Sequence, residues 1–182
     1  MGNTRSTTPT TKELGNAVDR IIRAADLVLA ELDPTVLPIS HVPALLTKFA
    51  DLERRAAAGR LLLTAAAAAS KKWERDGHKS AADWFAAQQG TSVGRAREAL
   101  AASEQLAGLD ATTDALRRGD ISADQAGVVA DAAALNPNAE QELLDLAARE
   151  SLKALKDEAA RRKAEIEDLE ARRKRIHRNR KA

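Results

Sequence analysis

Alanine holds 40 of the 182 positions of this chain, and that fact narrows the folds open to it. Alanine is the strongest helix former and buries little area per residue. Aromatic residues make up only 2%: Phe49, Trp73, Trp84 and Phe85, with no Tyr. β-Branched residues are scattered and never alternate over the length of a strand. The chain is therefore expected to be all-α, an elongated helical bundle held by thin, closely approached contacts. Two long helices should flank a cluster of short ones.

Polar residues place the helix ends. Thr10 with Glu13 forms a capping box, and a helix should run to about Leu32, where Asp33-Pro34 stops it. Residues 1–10, polar and Thr-rich, read as a disordered leader. Pro38 and Pro43 bracket a short linker in which Ser40 can cap the next helix. From Val42 onward, Leu45, Phe49, Leu52, Ala56, Gly59, Leu63, Ala66, Ser70 and Trp73 alternate spacings of three and four. This is a heptad seam narrowed by small residues, on one long helix ended by Asp76-Gly77.

Short helices follow. Ser80, Ser92, Asp110 and Ser122 open them, Gly90 and Gly119 turn the chain between them, and Asn136-Pro137 is a stop and restart. Both Gly-led turns lead into a Ser-capped helix, a weak internal repeat. Ser151 begins the last helix, whose seam is Leu152, Leu155, Ala159, Ile166, Leu169 and Ile176. Arg162 and Arg173 interrupt it. This helix is expected to pack on the one from Val42. The domain plan is a helical body over 11–170 and a basic extension over 171–182.

The net charge of +2 hides an asymmetry. Arg172, Arg173, Lys174, Arg175, Arg178, Arg180 and Lys181 put +7 on the last twelve residues, leaving −5 on the rest. Lys and Arg neutralise phosphates without reading sequence, so this end is the main candidate for nucleic-acid contact, with DNA as the partner. No aromatic interleaves it, which argues against a stacking platform for single strands. The chain has no Cys and no apolar run long enough to span a bilayer, and without a charged n-region and apolar h-region at its start no secretory leader is expected. A cytoplasmic protein with no membrane partner is expected.

Other constellations are weaker. Asp76, His78 and Ser80 are the residue types of a hydrolase triad, but they lie within five residues, whereas triad members come from separate elements. A turn and a cap explain them more simply. His41, His78 and His177 have no second ligand at metal spacing, and no phosphate-binding glycine loop is present. No cofactor, metal or small-molecule substrate is indicated. Ser80 to Leu106 has the layout of a helix-turn-helix, with Val93, Ala96 and Leu100 inward and Arg95 and Arg97 near the start of its second helix. Glu98 and Glu104 argue against DNA reading, and a plain helical hairpin is the alternative.

The DGHKS turn (Asp76 to Ser80) with Trp84 after it is one part of a wider pattern. Thr91-Ser92 with Ala96-Arg97, Leu109, Ala115-Leu116, Gly119 with Ile121-Ser122, and Gln125-Ala126 complete it. This pattern resembles the N-terminal domain of unknown function number 222 of the actinobacterial 13E12-repeat proteins, and extends loosely from about Leu14 to the basic end. In that family the domain precedes a further region and then an HNH endonuclease domain, where a His base and a His/Asp metal cluster cleave phosphodiesters. His177-Arg178-Asn179-Arg180 is no such site, because its neighbours are basic and ligand acids are missing. No nuclease residue carries over. The resemblance implies a truncated or remnant member that is not itself an enzyme. It would be a helical module that binds or positions nucleic acid through its basic end. The other function class open is a protein-interaction or self-association scaffold using the seam from Val42 to Trp73.

Overall fold

The computed structural model describes the backbone of residues 9–179, with side chains up to Ile166 and that of Arg172. The leader expected over 1–10 lies almost wholly outside these residues. Among them every regular element is a helix, so the chain is all-α. They fall into two units, one ending at Thr47 and the other starting at Lys48.

In the first unit, α1 spans Thr11–Ala30. The Thr10 hydroxyl accepts from the Glu13 N–H, and the Glu13 carboxylate accepts from the Thr10 N–H at 2.7 Å. That backbone bond, with the Thr10 hydroxyl after it, holds the Glu13 carboxyl below its usual range. After α1 the Asp33 carboxylate accepts from both the N–H and the hydroxyl of Thr35, closing the turn. Ser40 does not cap. It sits inside a 3-10 turn, Ile39–His41, whose first flanking residue is Pro38.

Next come α2 (Val42–Ala69), α3 (Lys72–Arg75), α4 (Ala81–Gln89), α5 (Val93–Gln105) and α6 (Asp110–Arg118). α7 (Ala123–Ala133), α8 (Glu140–Ala147) and α9 (Leu152–Asn179) complete the second unit. The hydroxyls of Ser80, Ser92 and Ser122 each accept from the N–H three residues on, as their positions predict. Gly90 and Gly119 take φ of 60° and 79° at the ends of α4 and α6, where a Cβ would be strained. The repeated turn is therefore a pair of helix–Gly–Ser–helix corners, α4–α5 and α6–α7.

α7 is the central element, packed by α5, α6, α8 and α9. Its small residues allow this: a methyl added at Gly127 would sit 3.6 Å from the Ala102 Cβ of α5. The core around it draws Leu61 from α2, Leu116 from α6, Val129 from α7, Leu143 from α8 and Leu155 from α9. Trp84 and Phe85, 5.1 Å apart and tilted by 51°, form a second cluster with Ala96 between α4 and α5. Both long helices reach the first cluster, although α9 lies chiefly against α7 with α8 beside it.

Two expectations for α2 need correction. The helix ends at Ala69, not at Asp76. The Ser70 hydroxyl donates to the Ala67 carbonyl and accepts from Lys72 N–H, and Lys71 turns left-handed at φ 54°. The buried stripe is also not the predicted one. Ala58, Leu61 and Thr64 are buried, whereas Leu52, Ala56, Gly59, Leu63 and Ala66 are exposed, Leu63 by 67%. The buried side abuts α5, whose Ser103 hydroxyl accepts from Ala65 N–H at 2.9 Å.

Polar bonds between elements finish the packing. The last carbonyls of α6 are covered by α2: Arg54 donates to Gly119 O and Arg55 to Arg118 O. Cations are favourable at that end of a helix dipole. Gln125 completes the Ser122 capping box and donates to Ala147 O at the end of α8. Lys163 of α9 pairs with Asp131 of α7. Arg162, which interrupts the apolar seam of α9, bridges Glu158 at 2.7 Å and Glu142 of α8 at 2.8 Å.

Arg161 and Arg162 hydrogen bonds hold the Glu158 carboxyl down from 4.5 to about 2. A carboxyl with a depressed folded pKa stabilises above its unfolded value and loses that contribution as pH falls through the folded one. The clasp therefore stabilises fully above about pH 4.5 and is lost between there and about pH 2. Glu158→Gln is expected to flatten the pH dependence of thermal melts in that window, by on the order of 1–2 kcal/mol after screening.

Candidate functional site

The three triad-type residues serve the turn between α3 and α4: Asp76 ties the end of α3 to Trp84, Ser80 caps α4, and His78 closes the turn through its backbone. The Asp76 carboxylate accepts from Lys72 Nζ at 2.9 Å and from Trp84 Nε1 at 3.0 Å. Lys72 first, with Trp84 and His78 behind it, keeps that carboxyl below its usual range. That is the wrong direction for a general base near neutral pH. The Ser80 hydroxyl accepts from Asp83 N–H and donates to Asp83 Oδ2 at 2.8 Å, so its hydrogen goes to a cap and not to an imidazole. The His78 backbone N–H donates to Trp73 O. His41 is exposed at the end of its 3-10 turn, and the His177 side chain lies outside the described residues. Among the described residues no three His, Cys, Asp or Glu side chains are placed to hold a metal ion.

α4 and α5 pack as a hairpin, with Val93, Ala96 and Leu100 inward as expected and Arg95 and Arg97 exposed. Arg95 lines an open groove of about 1010 Å³ bounded mainly by α2, α5 and α7. Its wall carries Arg54, Arg60, Arg95 and Lys156 against Glu53, Glu98, Asp124 and Asp131. The signs balance, so a polyanion meets no net positive field along this groove.

Of the basic residues near the end, Arg172 is exposed. The backbone of α9 stays helical to Asn179, so Arg172, Arg173, Lys174, Arg175 and Arg178 follow one another on a single helix. The side chains of Arg173, Lys174, Arg175 and Arg178, and all of Arg180 and Lys181, lie outside the described residues. No described helix is long and apolar enough to cross a membrane.

The most unusual surface is on α1, which sequence reasoning treated only as a capped helix. α1 is 20 residues long and buries none of them. Leu14, Val18, Ile21, Ile22, Val28 and Leu29 are between 49% and 56% exposed. A signal for this face was present. Leu14, Val18, Ile21, Ala25 and Val28 alternate spacings of four and three, as regularly as the seam from Val42. Ala17, Ala24 and Ile22 widen the stripe, and Lys12, Glu13, Asp19, Arg20, Arg23 and Asp26 keep to other positions of the heptad. Large contiguous exposed apolar faces mark places where another surface docks. Comparison with family models, with curated proteins and with solved structures finds no match for this chain.

Proposed function

We propose that this chain is a non-catalytic helical association module that works by laying the apolar face of α1 against another helix. One observation carries this reading: a 20-residue helix that buries none of its own residues and keeps six large apolar side chains half in water. A lone helix of that length is marginal, because helices in proteins draw most of their stability from a packed amphipathic face. Full burial of such a side chain contributes roughly 1.5–3 kcal/mol. Covering six half-exposed ones gains roughly 4.5–9 kcal/mol, and the partner's apolar face about as much again, against an association cost of roughly 4–15 kcal/mol. Binding of moderate strength, on the order of micromolar, is the expected regime.

An environment-sensitive dye such as anilinonaphthalene sulfonate tests the open face. At low protein concentration its fluorescence is expected to rise with the intact chain. It should fall by at least about half with Ile21→Asp and Ile22→Asp together. The melting of the unit from Lys48 onward should not change. No enhancement with the intact chain, or the same enhancement with the variant, overturns the reading.

A second reading rests on the helical run of α9 through Asn179 and the +7 of residues 171–182. Supported by the resemblance to HNH-associated proteins, it makes this end a phosphate-binding arm. With all seven charges engaged, log affinity for duplex DNA should fall with log salt at a slope of about −6. Removing residues 171–182 should abolish binding at low salt. No binding by the intact chain, or binding unaffected by the deletion, overturns it.

A further inference from the structure

We infer that the helix covering the α1 face is α1 of a second copy, running antiparallel about a two-fold axis. The inference rests on the reading of α1 as a docking face and adds its occupant.

The stripe Leu14, Val18, Ile21, Ala25, Val28 assigns heptad positions d, a, d, a, d. In an antiparallel pair each a residue packs against a d residue of the mate. Two registers do this, one with its axis at Arg23 and one with its axis between Asp19 and Arg20; we take the second, which leaves Val28 beside Thr11 of the mate and sets Gly15 against Ile22. Leu14 then meets Ala25 of the mate, and Val18 meets Ile21, so each larger side chain faces a smaller one. On one flank Ala17 faces Ala24. On the other, Gly15 faces Ile22. Because a two-fold interface uses the same patch on both copies, every such fit occurs twice.

Gly15 supplies an independent reason. Glycine inside a helix costs roughly 0.5–1 kcal/mol against alanine. A Cβ added there meets nothing within 4 Å, and Gly15 has no positive φ that would call for glycine. Among the described residues nothing accounts for it. In the two-fold register the missing side chain is the space that Ile22 of the mate fills.

Charge agrees. α1 carries Lys12, Arg20 and Arg23 against Glu13, Asp19 and Asp26, a balance that gives copies no net repulsion. Lys12 falls beside Asp26 of the mate. Asp19 and Arg20 lie near their own mates at the axis, in outer positions where water and salt screen like charges. Antiparallel helices also set opposite dipole ends together.

Sedimentation of the full chain from about 1 to about 300 µM tests this, with a reversible monomer–dimer equilibrium expected in that range. Gly15→Leu should weaken the dimer by at least about tenfold while raising helix propensity, so its effect cannot come from unfolding. The chain has no cysteine, so introduced thiols report orientation alone. Under mild oxidation a mixture of Val18→Cys and Ile21→Cys chains should cross-link to each other in preference to themselves. A monomer throughout, an unaffected Gly15→Leu dimer, or preferential self-linking of each single variant overturns the inference. If the chain stays monomeric but still lights the dye, the docking face stands and its occupant is another protein. If it is monomeric and dark, both readings fall.

Discussion

Leu155→Ala is expected to lower the stability of the unit from Lys48 onward by about 3–5 kcal/mol, the upper part of the range for a buried leucine. Leu155 is 0% exposed and sits in the cluster that joins α9 to α7 and α8. Much of that core is alanine, so a few large side chains carry most of its apolar area. Leu116, Ile121, Leu143, Leu155 and Val129 are the largest apolar ones below 2% exposure. Deleting one leaves a cavity that helices already in close contact cannot collapse to fill. For a unit of this size the melting temperature should drop by about 10 °C. Denaturant melts followed by circular dichroism measure the effect. A loss under about 1 kcal/mol would mean that α9 is not docked through Leu155.

Glu140→Ala should cost about 2–3 kcal/mol through a polar route. α6 starts after Leu109, which has no side chain able to cap it. The Thr112 N–H and hydroxyl, fully buried in the first turn, both donate to one oxygen of Glu140, at 2.9 and 2.8 Å. The cap of α6 is thus supplied from 28 residues along the chain, where the 3-10 turn Pro137–Ala139 passes into α8. Removing the carboxylate strands two buried donors, which costs more than the bond itself is worth. Glu140→Gln keeps an acceptor and should cost less than about 1 kcal/mol. Melts of both variants, with Thr112→Val to close a double-mutant cycle, separate the cap from general packing. Equal losses for Ala and Gln would show that the hydrogen bonds are not what matters.

Neither effect could be read from the chain beforehand, and the reason differs from the reason other features were legible. The Ser122–Gln125 box spans three residues, so both partners stand in view of each other in sequence. Glu140 and Thr112 perform the same task from separate elements, and no local pattern pairs them. Arg162 shows the same limit. In sequence it breaks the seam of α9, whereas in the fold it joins Glu142 and Glu158 across two helices. The surfaces divide similarly. Asp76, His78 and Ser80 were legible as turn and cap residues because their bonds are short-range. The open face of α1 was written in its heptads, yet periodicity alone does not separate a buried stripe from one left half exposed.

α2 shows most clearly where local information ends. Its helical state followed from alanine content, since propensity acts residue by residue. Its buried side did not. On an alanine-rich helix, a stripe of Leu52, Leu63 and small residues and a stripe of Ala58, Leu61 and Thr64 differ little in apolar contrast. Tertiary structure chose the second, because small residues let α5 approach closely enough for Ser103 to reach the Ala65 N–H. By itself the sequence determined the helical class and most helix ends, which depend on hydrogen bonds across three or four residues. Only the tertiary structure decided which faces are buried, because that depends on how closely distant helices can meet.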